Sequence, residues 1–472
     1  MGVQFQFRGY GDVLMIPTGL KGHIDPMIYL AKRLATYGLT STVVIQEDLQ
    51  SFVAADIEEK VEGLIIQVVP PAFVHFPVWA TANLAKACDP YFNKLLADRE
   101  SGTPVPKCII ADMLQGWTQE WADKLQTPRY VSCPSPAAFG LVMNNFSALL
   151  AKGLLRGRDP NPALNCPGTP NLRLSDLPPI VRTMPKFMYE NGDTFKDSAG
   201  MLVNTLYDLE ARAIDTFQAE MEGTSKREKV TKVYPIGPLL PAEYFSLETS
   251  YGAKGNSETI QWLNTRTELS VLYVAFGSIA CLEPRQVVEL AHGLEVSQVS
   301  FLWILRPEKP KDGSPHANVD DHLPSGFRQR TKDRGLVFTE FAPQLQILSH
   351  PATGGFLTHC GWNSCLESIC RGVPMLAWPM QAEQGLNCRI LVDEANVAIE
   401  IKKGPGGAVE RGAVENGVRG LMMETVGKRL KERVLELQRQ AREAISPGGS
   451  SHRNLESLVK EIQGSRRMLQ TQ

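Results

Sequence analysis

His23 follows a short apolar run, residues 12–17, and stands beside Gly22 ahead of Ile24-Asp25-Pro26. An imidazole at the carboxyl end of a strand is well placed as a general base, because its ordinary pKa lies near neutrality. A second apolar run, Cys108 to Ala111, ends in Asp112. An aspartate there would fix the tautomer of His23 and stabilise the imidazolium formed when a proton is taken. Two readings fit these residues: a catalytic pair, or a turn cap at His23 and a helix cap at Asp112.

A denser set lies in the segment from Thr358 to Pro374. Thr358 to Gly361 end a strand-like run, Asn363 and Ser364 sit at a helix start, and Glu367 follows Ser364 at capping-box spacing. Small polar residues at a helix N-terminus after a glycine suit a phosphate, since free N–H groups point outward and the helix dipole favours anions. His359, Asn363 and Ser364 would add side-chain donors. Phe276-Gly277-Ser278 ends an earlier strand in a tight turn that can cradle the same phosphate. The alternative is a plain capped helix. Phe341 and Trp362 offer faces for stacking on a base or sugar, or are core aromatics. Glu383 and Gln384 follow the run Leu376 to Pro379 and suit sugar hydroxyls, as would a polar pair on a surface loop. Glu367 can accept from a ribose hydroxyl if the cap leaves it available.

The elements that must position these groups alternate in type. The run at 12–17 reads as a buried strand, residues 24–38 as a helix with one apolar face closed by Gly38, and 42–46 as a strand again. Residues 108–112, 129–133 and 200–205 add further strands. Strand, helix, strand is the opening of a parallel sheet. Around 235–241 the chain becomes Pro/Gly-rich, and to about 258 it is polar and aperiodic, which marks a domain boundary. A second set of strands starts at 271–278 and continues at 301–306, 336–341, 354–359 and 373–378, with a helix at 284–298. A charged amphipathic helix spans 423–445, a break falls at 446–449, and a last short helix starts near His452. The expected organisation is residues 1–240, a linker 241–259, a second domain 260–450, and a terminal helix and tail 451–472. Ligands of open parallel sheets sit at the carboxyl ends of the strands, so two such α/β domains would face a common cleft.

Bulk properties exclude other classes. The 472 residues are 43% hydrophobic and 21% charged, with a formal net charge of -2. No basic field is present to hold nucleic acid or an anionic membrane, and no apolar run is long enough to span one. Nine cysteines without a repeated spacing argue against a disulfide framework. Cys360, Cys365 and Cys370 are five residues apart, too wide for a zinc knuckle, and read as small buried hydrophobes. The N-terminus lacks the pattern of a signal peptide, which points to a cytoplasmic protein. No dinucleotide fingerprint, phosphate-binding P-loop, metalloprotease motif, nucleophile elbow or paired-aspartate metal signature is present.

The run from Phe341 to Gln384 closely resembles the signature box of the plant family 1 UDP-dependent glycosyltransferases, with internal spacings intact. The resemblance extends over most of the chain, through residues 17–27, 108–112, 203–210, 235–241 and 272–278. It implies the GT-B fold, with two facing Rossmann-like domains, an N-terminal one for the acceptor and a C-terminal one for the UDP-sugar. It also implies a C-terminal helix that crosses back to the N-terminal domain. By the resemblance, Phe341 stacks on uracil, Gln344 helps hold the base, and Ala342 belongs to the same donor-binding set. His359, Asn363, Ser364 and Ser278 contact the diphosphate, Glu367 takes the ribose hydroxyls, and Trp362 lies near the sugar. Glu383 and Gln384 share the sugar hydroxyls, His23 is the base and Asp112 its partner.

Two positions depart from the family pattern. Phe341 stands where the family has tryptophan, so it offers less stacking area and no N–H donor. Glu383 stands where the family usually has aspartate, one methylene shorter. The final glutamine resembles that of UDP-glucose users. The expected reaction is a single, inverting displacement giving a β-O-glycoside, without a metal or a tightly bound cofactor, carried out by a monomer. Phe73, Phe76, Trp79 and Phe139 suggest an aromatic wall for flavonoids or other phenolics, and the family widens the range to terpenoids and other lipophilic alcohols. The rival readings are a silent donor-binding or regulatory protein, and a same-fold enzyme that hydrolyses or epimerises the UDP-sugar.

Overall fold

Val13–Ile16 (β1) is fully buried, as four consecutive apolar residues require when both faces of a parallel sheet are covered. The computed structural model describes residues 9–49, 63–69, 79–153, 161–224, 231–245, 257–277, 280–306, 319–340 and 342–468. Two compact units emerge. One comprises residues 1–175, 179–240 and 443–472, the other 176–178 and 241–442. The expected linker at 241–259 falls largely on residues 246–256, outside the described residues.

The first unit holds a seven-stranded sheet. Its strands are β1, Ser41–Gln46 (β2), Leu64–Val69 (β3), Cys108–Asp112 (β4), Arg129–Cys133 (β5), and, after the small hairpin Ala163–Leu164 (β6) and Leu172–Arg173 (β7), Gly200–Val203 (β8) and Lys232–Pro235 (β9). The order is β3-β2-β1-β4-β5-β8-β9, and every neighbouring pair is parallel. Alternate residues of β1 serve opposite cores. Val13 and Met15 pack with Ile24, Met27, Ile28, Ala31 and Leu34 of the helix Lys21–Ala35. Leu14 and Ile16 pack with Leu84, Cys88, Tyr91 and Phe92 of the helix Trp79–Glu100. The spacing of the first set is one stripe of a helix. The last helix, Ser450–Met468, joins the first core through Leu455, Leu458, Val459 and Ile462. Its Glu461 accepts hydrogen bonds from the hydroxyls of Tyr130 (3.3 Å) and Tyr234 (2.7 Å).

The second unit holds a six-stranded sheet. Its strands are Val271–Ala275 (β10), Ser300–Ile304 (β11), Gly335–Phe338 (β12), Thr353–Thr358 (β13), Met375–Ala377 (β14) and Ala398–Glu400 (β15). The order is β12-β11-β10-β13-β14-β15, again all parallel. Leu272 and Val274 pack with Leu290 and Leu294 of the helix Pro284–Ser297 and with Val414 and Val418 of the helix Arg411–Met422. Both sheets are therefore doubly wound. Each runs outward on one side of its first strand and then returns to build the other side. The reversal lies between β1 and β4 in one sheet and between β10 and β13 in the other. At such a switch point the two connecting loops diverge and leave room at the strands' carboxyl ends for chemistry. None of the described helices is long and apolar enough to cross a membrane.

Candidate active site

The first switch point brings His23 and Asp112 together. β4 ends at Asp112. His23 lies in the first turn of the helix Lys21–Ala35, which begins earlier than the turn expected there, because the Leu20 carbonyl already accepts the His23 and Ile24 N–H groups at 2.8 and 2.9 Å. His23 Nδ1 lies 2.7 Å from Asp112 Oδ2. Asp112 is fully buried and His23 is partly exposed. A carboxylate only accepts, so Nδ1 carries a proton, and in the neutral ring that leaves the lone pair on Nε2. The other carboxylate oxygen accepts from Thr18 Oγ1 at 2.9 Å and from the Leu114 N–H at 3.0 Å. Gln115 Nε2 donates to Thr18 Oγ1 at 3.0 Å, and Trp117 Nε1 donates to Gln115 Oε1 at 2.6 Å. Thr18 and Gln115 are both buried. This donor chain fixes the carboxylate plane and hence the imidazole. Sequence reasoning missed Thr18, Gln115 and Trp117. The one available signal was their position in the two loops that follow β1 and β4.

The second switch point is built around His359. It follows β13, and Gly277 follows β10. A Cβ on either Gly277 or Gly361 would come within 2.5 Å of His359 Nε2. Two glycines thus let the imidazole lie against backbone on both sides. Its Nδ1 is buried with no hydrogen-bond partner among the described residues. Burial lowers the His359 pKa to about 4, since the charged form loses its water. At neutral pH the ring is uncharged and can offer a single N–H to a ligand.

Cys360 adopts φ +65°, a left-handed conformation uncommon outside glycine. Gly361 is then extended and forms the N-cap of the helix Trp362–Cys370. The sharp turn starts the helix at Trp362, two residues before Ser364, so the expected Ser364–Glu367 capping box does not form and the cap has no side-chain bond. Both side chains instead accept from Gln344 Nε2, Ser364 at 2.9 Å and Glu367 at 2.6 Å. Gln344 Oε1 accepts from the buried Tyr273 hydroxyl at 3.1 Å. The first N–H groups of the helix have no intrahelical acceptor and aim toward its N-terminal end. Asn363 is partly exposed there, whereas Trp362 is buried.

Glu383 caps the next helix, Gln384–Arg389. Gln384 Oε1 accepts from the N–H groups of Met380 (3.0 Å) and Gln381 (2.8 Å). That oxygen holds its own loop, which turns through Ala382 at φ +52°, and its amide N–H groups are the part able to meet a ligand. Ala342 is buried. Ser278 and Phe341, and the acceptor-wall residues Phe73 and Phe76, lie outside the described residues. Trp79 opens its helix, and Phe139 is buried in the helix Ala137–Asn144.

The family model described as UDP-glucoronosyl and UDP-glucosyl transferase matches residues 203–437. The 7-deoxyloganetin glucosyltransferase of Gardenia jasminoides is 35% identical, covering 95% of this chain and 96% of that protein. UDP-glycosyltransferase 85A3 of Arabidopsis thaliana is 33% identical, with 95% and 96% covered. Among solved structures, Phytolacca americana UGT2 complexed with UDP-2fluoro-glucose and pterostilbene gives a TM-score of 0.81 at 28% identity, covering 96% of this chain and 99% of that one. With two doubly wound units and a likeness that runs nearly end to end, the chain belongs to the plant family 1 UDP-glycosyltransferases, enzymes of the GT-B fold that draw on a UDP-sugar donor.

Proposed function

We propose that this enzyme transfers glucose from UDP-glucose to a hydroxyl of a small lipophilic acceptor with inversion at the anomeric carbon. The observation that carries the reading is the hydrogen bond from His23 to the fully buried Asp112. In this reading His23 Nε2 takes the acceptor's hydroxyl proton as the oxygen forms its bond to the anomeric carbon. The bond from that carbon to the UDP oxygen breaks, and UDP leaves from the opposite face. Asp112 stabilises the imidazolium. One displacement on an α-linked donor yields a β-glycoside, through a transition state with oxocarbenium character.

The first unit takes the acceptor and the second takes the donor. Diphosphate charge is met by the start of the helix Trp362–Cys370, by Asn363, Ser364 and Ser278, and by a neutral N–H of His359. Glu367 takes the ribose hydroxyls, Phe341, Ala342 and Gln344 the base, and Trp362, Glu383 and Gln384 the sugar. Glucose is supported by the names of the glucosyltransferase relative and of the neighbour's UDP-2fluoro-glucose ligand. Flavonoids and other phenolics remain the proposed acceptors. Relatives named for 7-deoxyloganetin and complexed with pterostilbene add those two molecules to the test panel. The same reading makes the enzyme a cytoplasmic monomer.

The test crosses several UDP-sugars with this acceptor panel and follows product mass. Replacing His23 with alanine is expected to lower transfer by about a thousandfold or more, while UDP-sugar binding persists. Unchanged transfer would rule out His23 as the base. Loss of UDP-sugar without any acceptor would favour hydrolysis or epimerisation.

A further inference from the structure

Asn387 lies in the helix Gln384–Arg389 and is fully buried. Its Nδ2 reaches acceptors on two separate segments, the Cys360 carbonyl at 2.9 Å and Glu383 Oε1 at 3.4 Å. Neither partner can donate, so the amide's orientation is chemically determined. A flip would set its oxygen against a carbonyl and a carboxylate. The price of this arrangement is visible in Asn387 Oδ1, which is buried with no hydrogen-bond partner among the described residues. A leucine of similar shape would avoid that penalty. The amide is therefore better explained by what its N–H groups hold than by packing.

What they hold are two pieces of the donor site. Cys360 is the left-handed residue that turns the chain from β13 into its helix, and its neighbours are His359 and Gly361. Glu383 is the cap residue whose carbonyl also accepts the Asn387 backbone N–H at 3.0 Å. We propose that Asn387 is a positioning residue for the donor. It ties the diphosphate-facing turn at Cys360 to the sugar-facing carboxylate of Glu383, so that one amide sets the spacing between them and with it the choice of sugar. The inference rests on the reading of Glu383 as a sugar contact.

The test measures kcat and KM for UDP-glucose and UDP-galactose with one fixed acceptor, together with thermal stability. The proteins are the full chain, Asn387→Asp, Asn387→Ser, Glu383→Ala and the double variant Asn387→Asp/Glu383→Ala. Asn387→Asp removes both donors and faces Glu383 with a like charge. It is expected to raise KM for the preferred donor about tenfold, more than it lowers kcat, and to shrink the preference between the two sugars about as much as Glu383→Ala does. The double variant should lose no further preference, because both changes act through one carboxylate. Asn387→Ser keeps a shorter donor and should lose part of the preference, which decides the matter if the aspartate variant does not fold. A fall in stability with the sugar preference intact in both Asn387 variants overturns the inference. If Glu383→Ala itself leaves the preference unchanged, the sugar-contact reading fails and this inference falls with it. If only the Asn387 variants leave it unchanged, the inference alone is wrong.

Discussion

At the switch point between β1 and β4 a histidine is bonded to a buried carboxylate, and that carboxylate is held by a chain of three further side chains. At the switch point between β10 and β13 a histidine lies between two glycines, its buried Nδ1 without a hydrogen-bond partner among the described residues. The two sheets share one winding pattern, so topology supplies the place for chemistry but not its kind. The difference lies in what the following loops carry. The first set of loops supplies a carboxylate and the hydroxyl and amide groups that hold it, which orient an imidazole. The second supplies backbone N–H groups, small residues and a desolvated neutral ring, which suit an anion arriving from solution. A proton acceptor must be tuned before its substrate binds, whereas an anion site gains its counter-charge with the ligand.

The comparison breaks most severely at Asp112. Asp112→Asn keeps the shape but turns an acceptor into a donor or a neutral carbonyl, so the favoured His23 tautomer changes and the imidazolium loses its counter-charge. By analogy with other His–Asp pairs, kcat should fall by about 10³-fold or more. UDP affinity, which we assign by proposal to the second switch point, should stay within about twofold of the parent value. Steady-state kinetics paired with UDP titration calorimetry checks this. A parallel loss in UDP affinity would mean that the two sites do not divide the labour as proposed.

A smaller effect is expected at Gly277. Its φ is +77°, and an added Cβ would meet His359 Nε2 at 2.5 Å. Gly277→Ala strains the turn by about 1–2 kcal/mol and forces the imidazole to shift. KM for the UDP-sugar should rise about tenfold, with kcat changed less. Gly412→Ala is the control, since a Cβ there meets nothing within 4 Å. Equal effects in the two variants would remove His359 from the donor site.

The residues that sit at strand ends were legible in the sequence, because a run of buried apolar residues followed by a polar one marks the rim of a parallel sheet. Asp112 and His359 were found in this way, whereas His23, expected in a turn after the strand, lies in the first turn of the helix Lys21–Ala35. The side chains that hold Asp112 in place were not legible. Thr18 and Asp112 are 94 residues apart, and only the pairing of β1 with β4 brings their loops together. Asn387 was missed for a related reason: a polar residue in a short helix reads as solvated until packing buries it. The helix start was misplaced because Cys360 takes a left-handed turn that glycine or asparagine would have signalled. β3 and β9, passed over in the sequence, and the three-residue β15 complete the sheet edges.

The mildest prediction tests the second switch point by pH. His359 titrates at about 4 in the folded protein, against about 6.5 for an unfolded histidine. Between those values the unfolded chain binds the additional proton, so stability falls as pH is lowered through the window and the loss is complete below about 4. His350, also lowered by burial, acts in the same direction. Glu289, held at about 2 chiefly by its hydrogen bond from Arg411, loses its contribution only below the ordinary carboxylate range, so it leaves the upper part of the window clear. Between pH 6.5 and 5 the His359 contribution is at most about 2 kcal/mol. In thermal melts across this range the full chain should lose stability relative to His359→Gln as pH falls, because the variant lacks that titration. Parallel curves would mean that His359 is solvated enough to titrate normally, and the reading of a desolvated, neutral ring at this site would fall.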